Sequence, residues 1–216
     1  MKRLLSVLAL VCLAAGVFAA DVSLGVGGSV SYYSWHLTES AGGLSGEADV
    51  TRVPFNFMAF ADMTYLQIAV GYRTFHGGHE TDTDPINGVT DYDYDQWSGS
   101  YASLAAYFKI PLRLGSITLF PMIGVEYDIA LSGTYSDGTA WTSQTKSDAD
   151  EFWIKGGFGL DFSVSTQLYL RPELTVGYKL LNTPEKDMVD AEKALGYDVT
   201  LLPLSFEFSF LLGVRL

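Results

Sequence analysis

Charged residues at alternate positions inside otherwise apolar runs are the first candidates for chemistry in this chain. Arg52, Arg73, Lys109, Lys155, Arg171, Lys179 and Arg215 are the cations, and Asp62, Glu126, Asp128, Asp161, Glu173 and Glu207 the carboxylates. Near-equal numbers of the two signs suit a confined interior, because a buried charge without a partner is strongly destabilising. The candidate interior network is Arg52, Arg73, Glu126, Asp128, Lys155, Arg171, Glu173 and Glu207, whose members from Glu126 onward are expected to form one ion-pair system. Such a network can plug a lumen and hold strand register, or it can line a polar or gated path for small solutes.

A second set is acidic. Asp91, Asp93 and Asp95 repeat at i, i+2, i+4. In extended backbone that spacing puts them on one side, with Tyr92 and Tyr94 on the other. A row of carboxylates invites Ca²⁺ or another divalent cation. The glycine and terminal glutamate of a complete calcium loop are missing, so a solvated run of repelling charges is the competing reading. His76 and His79, with Glu80 beside them, offer two nitrogens and one carboxylate, short of a full zinc set. Ser34 and His36 supply the nucleophile and base of an acyl hydrolase, but no motif fixes an acidic partner. No catalytic residue, metal or cofactor is therefore expected, and the chain is read as a non-enzyme.

The elements that must position these groups are strands. The chain has 216 residues, enough for one domain, with 48% hydrophobic residues, 14% aromatics and 22 glycines. Lys2 and Arg3 followed by an apolar run from Leu4 to Ala15 and by Gly16, Ala19 and Ala20 read as a signal peptide over residues 1–20. The domain proper is then 21–216. The only cysteine, Cys12, lies inside that leader, so no disulfide is expected. A net charge of −12 excludes nucleic acid as a partner, since its phosphates would be repelled.

Beyond residue 20 the pattern is alternation with a period of two. Val22, Leu24, Val26, Val30 and Tyr32 share one face of the first strand, and Ser23, Gly25, Gly27, Ser29 and Ser31 the other. Seven more strands follow, near 53–62, 66–73, 102–109, 119–129, 152–162, 168–179 and 204–216. Their apolar faces carry no formal charge. Short turns near 61–64, 111–116 and 164–167 alternate with long segments at 36–50, 77–91, 132–150 and 182–198, which hold the surplus of negative charge. Prolines 54, 121, 172 and 203 fall within strands and predict bulges or weak pairing there. Thr183-Pro184-Glu185 begins a helix ending near Gly196, with Met188, Ala191 and Leu195 as an apolar stripe packed on the mouth. Tyr32, Tyr72, Tyr101, Tyr127, Phe152 and Tyr178 at one end, with Phe108 and Phe162 at the other, are expected as interfacial girdles.

A soluble barrel would carry dense Lys and Glu on its polar faces. Here those faces are rich in Gly and Ser and balanced in charge, which favours an apolar face turned outward to lipid. The eight-strand pattern, the run Phe120-Pro121-Met122-Ile123-Gly124-Val125-Glu126-Tyr127 and the final strand from Ser205 to Leu216 together resemble small bacterial outer-membrane barrels of the OmpA, OmpX and OmpW kind. The resemblance covers the whole mature chain, although Leu216 stands where such barrels usually end in Phe. It implies an eight-stranded antiparallel up-and-down transmembrane β-barrel with short periplasmic turns and long external loops. It further implies outer-membrane lipid as surroundings, with barrel-assembly machinery and periplasmic chaperones as partners during biogenesis. Two roles follow as expectations: a structural or surface-interaction barrel whose acidic loops meet a ligand, host molecule or cation, and a narrow OmpW-like channel for small or apolar solutes.

Overall fold

The computed structural model describes residues 22–41, 44–83 and 90–216. The segment read as a signal peptide lies outside the described residues, as does the side chain of Asp95. Strands are β1 (Val22–Ala41), β2 (Leu44–Arg52), β3 (Phe55–Met63), β4 (Leu66–Thr83), β5 (Thr90–Lys109), β6 (Leu112–Leu114), β7 (Ile117–Thr134), β8 (Glu151–Ser163), β9 (Leu168–Leu180) and β10 (Asp198–Arg215). Two helices lie between strands, α1 (Ser143–Asp148) and α2 (Thr183–Ala194). β2 and β3 are one barrel strand interrupted at Val53-Pro54, and β5 and β6 are one interrupted at Ile110-Pro111, so the ring has eight strands.

Every neighbour in the ring is antiparallel, and β10 pairs with β1 from Ser23↔Arg215 to Ser40↔Asp198. The sheet therefore closes on itself. Closure leaves no bare strand edge, which is the condition for a sheet to cross hydrocarbon. None of the described helices is long and apolar enough to cross a membrane. The outward positions include Val26, Phe57, Val70, Ile123, Phe158 and Phe208, between 48% and 61% exposed apart from Phe57 at 69%. That belt carries no charge.

The short turns and both described ends of the barrel chain share one rim. The β1–β2 and β4–β5 hairpins, α1 and α2 rise from the other, which by the usual asymmetry is the external end.

Three sequence expectations need correction here. Residues 36–50 and 77–91 are largely not loops, since β1 pairs β2 out to Ala41↔Leu44 and β4 pairs β5 out to Thr83↔Thr90. Above the membrane both faces of these hairpins meet water, so the hydrophobic period stops while backbone pairing continues. The prolines act unevenly: Pro54 interrupts its strand and the β8–β9 ladder skips the pairs opposite Pro172 and Arg171, as expected, but Pro121 and Pro203 sit in unbroken register opposite Phe158 and Trp35. Register shifts occur instead at His76/Gly78, where Gly77 has φ +75°, and at Ser100/Tyr101. Tyr101 does not join a girdle: it is 2% exposed and points inward, whereas Tyr32, Tyr72, Phe108 and Tyr178 do face outward.

Helix α2 forms over the expected residues, but its cap falls one residue before Thr183 and it turns another face inward. Asn182 is its N-cap, accepting from the Glu185 amide at 3.1 Å, and the Glu185 carboxylate accepts from the Asn182 amide at 3.0 Å. Val189 is the buried residue, while Met188 and Leu195 are exposed. A bond from Lys179 to Glu185 pulls the Glu185–Val189–Glu192 face towards the barrel, leaving Met188, Ala191 and Leu195 on the far side.

The glycines of β1 and β10 do not open the lumen. A Cβ at Gly25 would meet the Phe60 ring, one at Gly27 would meet Leu211, and one at Gly213 would meet the Tyr169 ring. Each bare position is therefore the seat of a large neighbour, and Phe60, Tyr169 and Leu211 are all nearly inaccessible. We expect Gly213→Ala to displace Tyr169 and weaken the barrel, and Tyr169→Ala in the same chain to restore much of the loss. Mobility of unheated samples in SDS gels, where folded barrels migrate apart from unfolded chain, reads both outcomes. A Gly213→Ala chain as resistant as the parent would contradict this packing.

Candidate functional site

Because eight strands enclose a lumen only wide enough for side chains, whatever points inward must fill it. The inward charges divide into three tiers along the axis. In the middle tier, Arg73 from β4 donates to Glu126 at 2.6 Å and to Glu207 at 3.0 Å, and also bonds Asp128. Lys155 from β8 reaches the same Glu126 and Glu207 at 2.8 and 2.9 Å. Ser31 and Tyr107 donate to Glu207 and Glu126.

Nearer the periplasm, Arg171 grips Asp62 and Asp161 at 2.5 Å each and donates to Gln67 at 2.8 Å. Lys109 shares Asp62, and Glu173 lies 4.0 Å from Arg171. The Arg171 guanidinium is also 4.6 Å from the centre of the Phe120 ring and 4.9 Å from that of Tyr169. Arg171 and Glu173 thus stand apart from Glu126, Lys155 and Glu207, where the sequence reading expected one system. Alternation assigns a residue to a face, but the stagger of tilted strands sets its height. Only about 10 Å³ of free space remains between the middle and periplasmic tiers, room for about one water.

The external tier was the least legible. Arg52 donates to Glu151 at 2.6 Å, Lys179 lies 3.7 Å from Glu151, and Lys179 donates to Glu185 at 2.6 Å. Glu151, the residue directly after the acidic segment 132–150, is 4% exposed and also accepts from the Trp153 indole. The Arg52 guanidinium lies 4.5–4.9 Å from the ring centres of Tyr33, Trp35 and Phe75. Tyr33 itself lies between two cations, with Arg73 5.4 Å from its ring on the inner side.

Above this tier opens a recess of about 340 Å³, walled by Trp35, Trp97, Trp141, Tyr101, Val50 and Pro184, with Arg52, Lys179 and Glu151 at its floor. Each of the three indoles stands edge-on to a ring below it: Trp35 to Tyr33 at 74°, Trp97 to Phe75 at 66°, Trp141 to Tyr101 at 70°. Gly99 and Gly133 make room for Trp141, since a Cβ at Gly133 would strike the indole and one at Gly99 would come within 3.0 Å of it. The other wall is clasped by Asn182, whose side-chain amide donates to the Asp148 carbonyl at 2.6 Å, tying the α1 segment to the cap of α2. Trp97 lies in the register shift opposite Gly77 and Trp141 in the β7–β8 connection before α1, so alternation assigns neither of them a face.

The remaining candidates are not brought together. Asp91 and Asp93 lie opposite Asp82 and Glu80 on the β4–β5 hairpin, and Asp95 lies opposite Gly78. Among the described residues no group of three or more His, Cys, Asp or Glu is gathered to hold a metal. His79 stacks near Tyr94 with ring centres 5.0 Å apart. His36 gains an acidic neighbour in Asp49, 2.8 Å across β1–β2. Among the described residues no hydrogen bond joins Ser34 to His36.

Breaking a tier should cost far more than loosening the clasp. Arg73→Met leaves three buried carboxylates with Lys155 alone and is expected to lower stability by about 3–5 kcal/mol. Asn182→Ala removes one cap and one inter-loop bond, an expected loss of about 1 kcal/mol. Urea unfolding of the detergent-folded barrel, followed by tryptophan emission, measures both, and equal losses would contradict the tiered packing.

No protein-family model matches this chain, and no curated protein sequence matches it. Among solved structures it is similar to Neisserial surface protein A, with 14% identity, 88% of this chain and 97% of that chain covered, and a TM-score of 0.41. It is also similar to the outer membrane protein OprG from Pseudomonas aeruginosa, with 13% identity, 92% and 96% covered and a TM-score of 0.44. A third likeness is to the outer membrane protease OmpT from Escherichia coli, with 8% identity, 92% and 97% covered and a TM-score of 0.49. The chain's own architecture is decisive: a closed ring of eight strands, a charge-free apolar belt and an ion-paired interior make it a transmembrane β-barrel.

Proposed function

We propose that this protein is a closed surface-recognition barrel, binding a ligand at its external mouth rather than conducting solutes through its lumen. The observation that carries the reading is that the middle of the lumen keeps a cavity of only about 10 Å³, between recesses of about 340 Å³ at the external mouth and about 370 Å³ at the opposite rim. The inner space is shut by paired charges and by rings seated on glycines, none of which can leave without exposing a buried charge or an unfilled gap. The recess lies near the lower end of the range for ligand sites and is walled mainly by aromatic side chains, as such sites are. Its walls are tied across separate hairpins by Asn182, and α2 is held to the floor by the Lys179–Glu185 pair, so it is preformed. Outer-membrane lipid is its proposed environment, and assembly machinery and periplasmic chaperones its proposed partners during biogenesis.

Planar-bilayer recording tests the reading against the narrow-channel alternative. The folded barrel should give no stepwise current, whereas a variant with the middle tier thinned by Arg73→Ala and Glu207→Ala should begin to flicker. Regular steps from the parent protein at neutral pH would overturn the closed-barrel reading.

A further inference from the structure

We propose that the external recess takes a neutral sugar ring, a pyranose at the end of a glycan or a free saccharide. The inference rests on the reading of the mouth as a ligand site and adds the chemistry of the ligand.

Three observations on the recess carry it. The first is the wall. Trp35, Trp97 and Trp141 come from three different hairpins and converge on one cavity, where each keeps part of its indole in contact with water. None of them faces the lipid belt, and each is held at a steep angle by the buried ring beneath it. Indoles left wet inside a recess retain apolar faces that a ligand can cover. The axial C–H face of a pyranose is such a cover.

The second observation is a surplus of donors at the floor. Arg52 has five N–H groups, of which one bonds Glu151 and one bonds Tyr101, and its Nε is buried with no partner. The acceptors nearby are already engaged. Glu151 accepts from Arg52 on one oxygen and from Trp153 on the other, and Glu185 accepts from Lys179 on one and from the Asn182 amide on the other. A ligand that satisfies the floor must therefore bring oxygen acceptors. Ring ethers and hydroxyls provide them, and a hydroxyl can donate back to the second lone pair of an engaged carboxylate oxygen.

The third observation is charge. Arg52 and Lys179 are already matched by Glu151 and Glu185, with Asp148 as a further carboxylate at the rim. Glu80, Asp82, Asp91 and Asp93 stand on the neighbouring hairpin, and the whole chain carries −12. This field opposes an anion on approach. A cation is drawn to the mouth, but at the floor it meets Arg52 and Lys179, and Arg52 already fills the aromatic cage that would hold it. Acceptors without negative charge, on a ring with an apolar face, fit all three conditions.

The test uses the full mature barrel folded in a detergent that has no sugar headgroup. It is titrated with glucose, N-acetylglucosamine, galactose and maltose, then with glucuronate and choline, by tryptophan emission and calorimetry. A saturable response to at least one neutral saccharide is expected, with glucuronate and choline weaker. Trp97→Ala and Trp141→Ala should each weaken that response about tenfold, the effect of one lost aromatic face, while the unheated gel band stays folded. Phe158, on the outward belt and far from the recess, serves as control through Phe158→Leu, which should leave affinity nearly unchanged. Tighter binding of glucuronate or choline, saccharide binding unaltered in both indole variants, or no saturable response to any neutral saccharide would each overturn the proposal. The closed-barrel reading would survive those results, since it falls only to conductance.

Discussion

A backbone amide or carbonyl left unpaired in hydrocarbon is too costly to keep, and the rest of this structure follows from avoiding it. The pairing of β1 with β10 over almost their whole length removes the last open edge. Once the sheet is a ring, period-two alternation becomes a strict division between lipid and lumen. Outward positions hold apolar residues without charge, and the polar residues have nowhere to go but inward.

That inward space is small, which turns a collection of polar side chains into a packing problem. Bulky inward groups are placed opposite bare ones, as Phe60 is to Gly25 and Tyr169 to Gly213, while the arginines lie over aromatic rings. Charges buried this way are tolerable only when matched, and here Arg73, Arg171 and Arg52 each centre one tier. Replacing such tiers with apolar side chains could be equally stable. Their evident consequence is register: an arginine fork bound to carboxylates on several other strands fixes the height of each strand relative to the rest.

The external end uses the same materials differently. Freed from lipid, the β1–β2 and β4–β5 hairpins continue as strands with both faces wet, and the β7–β8 and β9–β10 connections fold into short helices capped by Thr142 and Asn182. The Lys179–Glu185 and Asn182–Asp148 bonds join the top tier of the interior to these helices. Stability of the plug and shape of the recess are therefore coupled, because Arg52, Glu151 and Lys179 belong to both.

How much of this was legible in the chain depends on where a residue sits relative to the membrane. Within the belt, alternation is enforced on every residue, so the number of ring strands, the outward set and the inward facing of Arg73, Glu126 and Lys155 can be read from spacing. The sequence by itself also determined that α2 would exist, through Thr183, Pro184, Glu185 and Gly196, since helix initiation is local chemistry. It could not determine height, because a residue's partner across the lumen depends on stagger and tilt summed over several strands. Hence Glu151 gave no sign of pairing until the fold set it against Arg52, and Arg171 and Lys155 read as members of one network until the fold placed them in different tiers. Nor could it place Trp97 and Trp141 at one recess, since Trp97 falls within a register shift and Trp141 lies in a connection outside the strands. Faces are set by a period of two along one chain. Meeting points are set by the closed ring as a whole, and only the tertiary structure decides them.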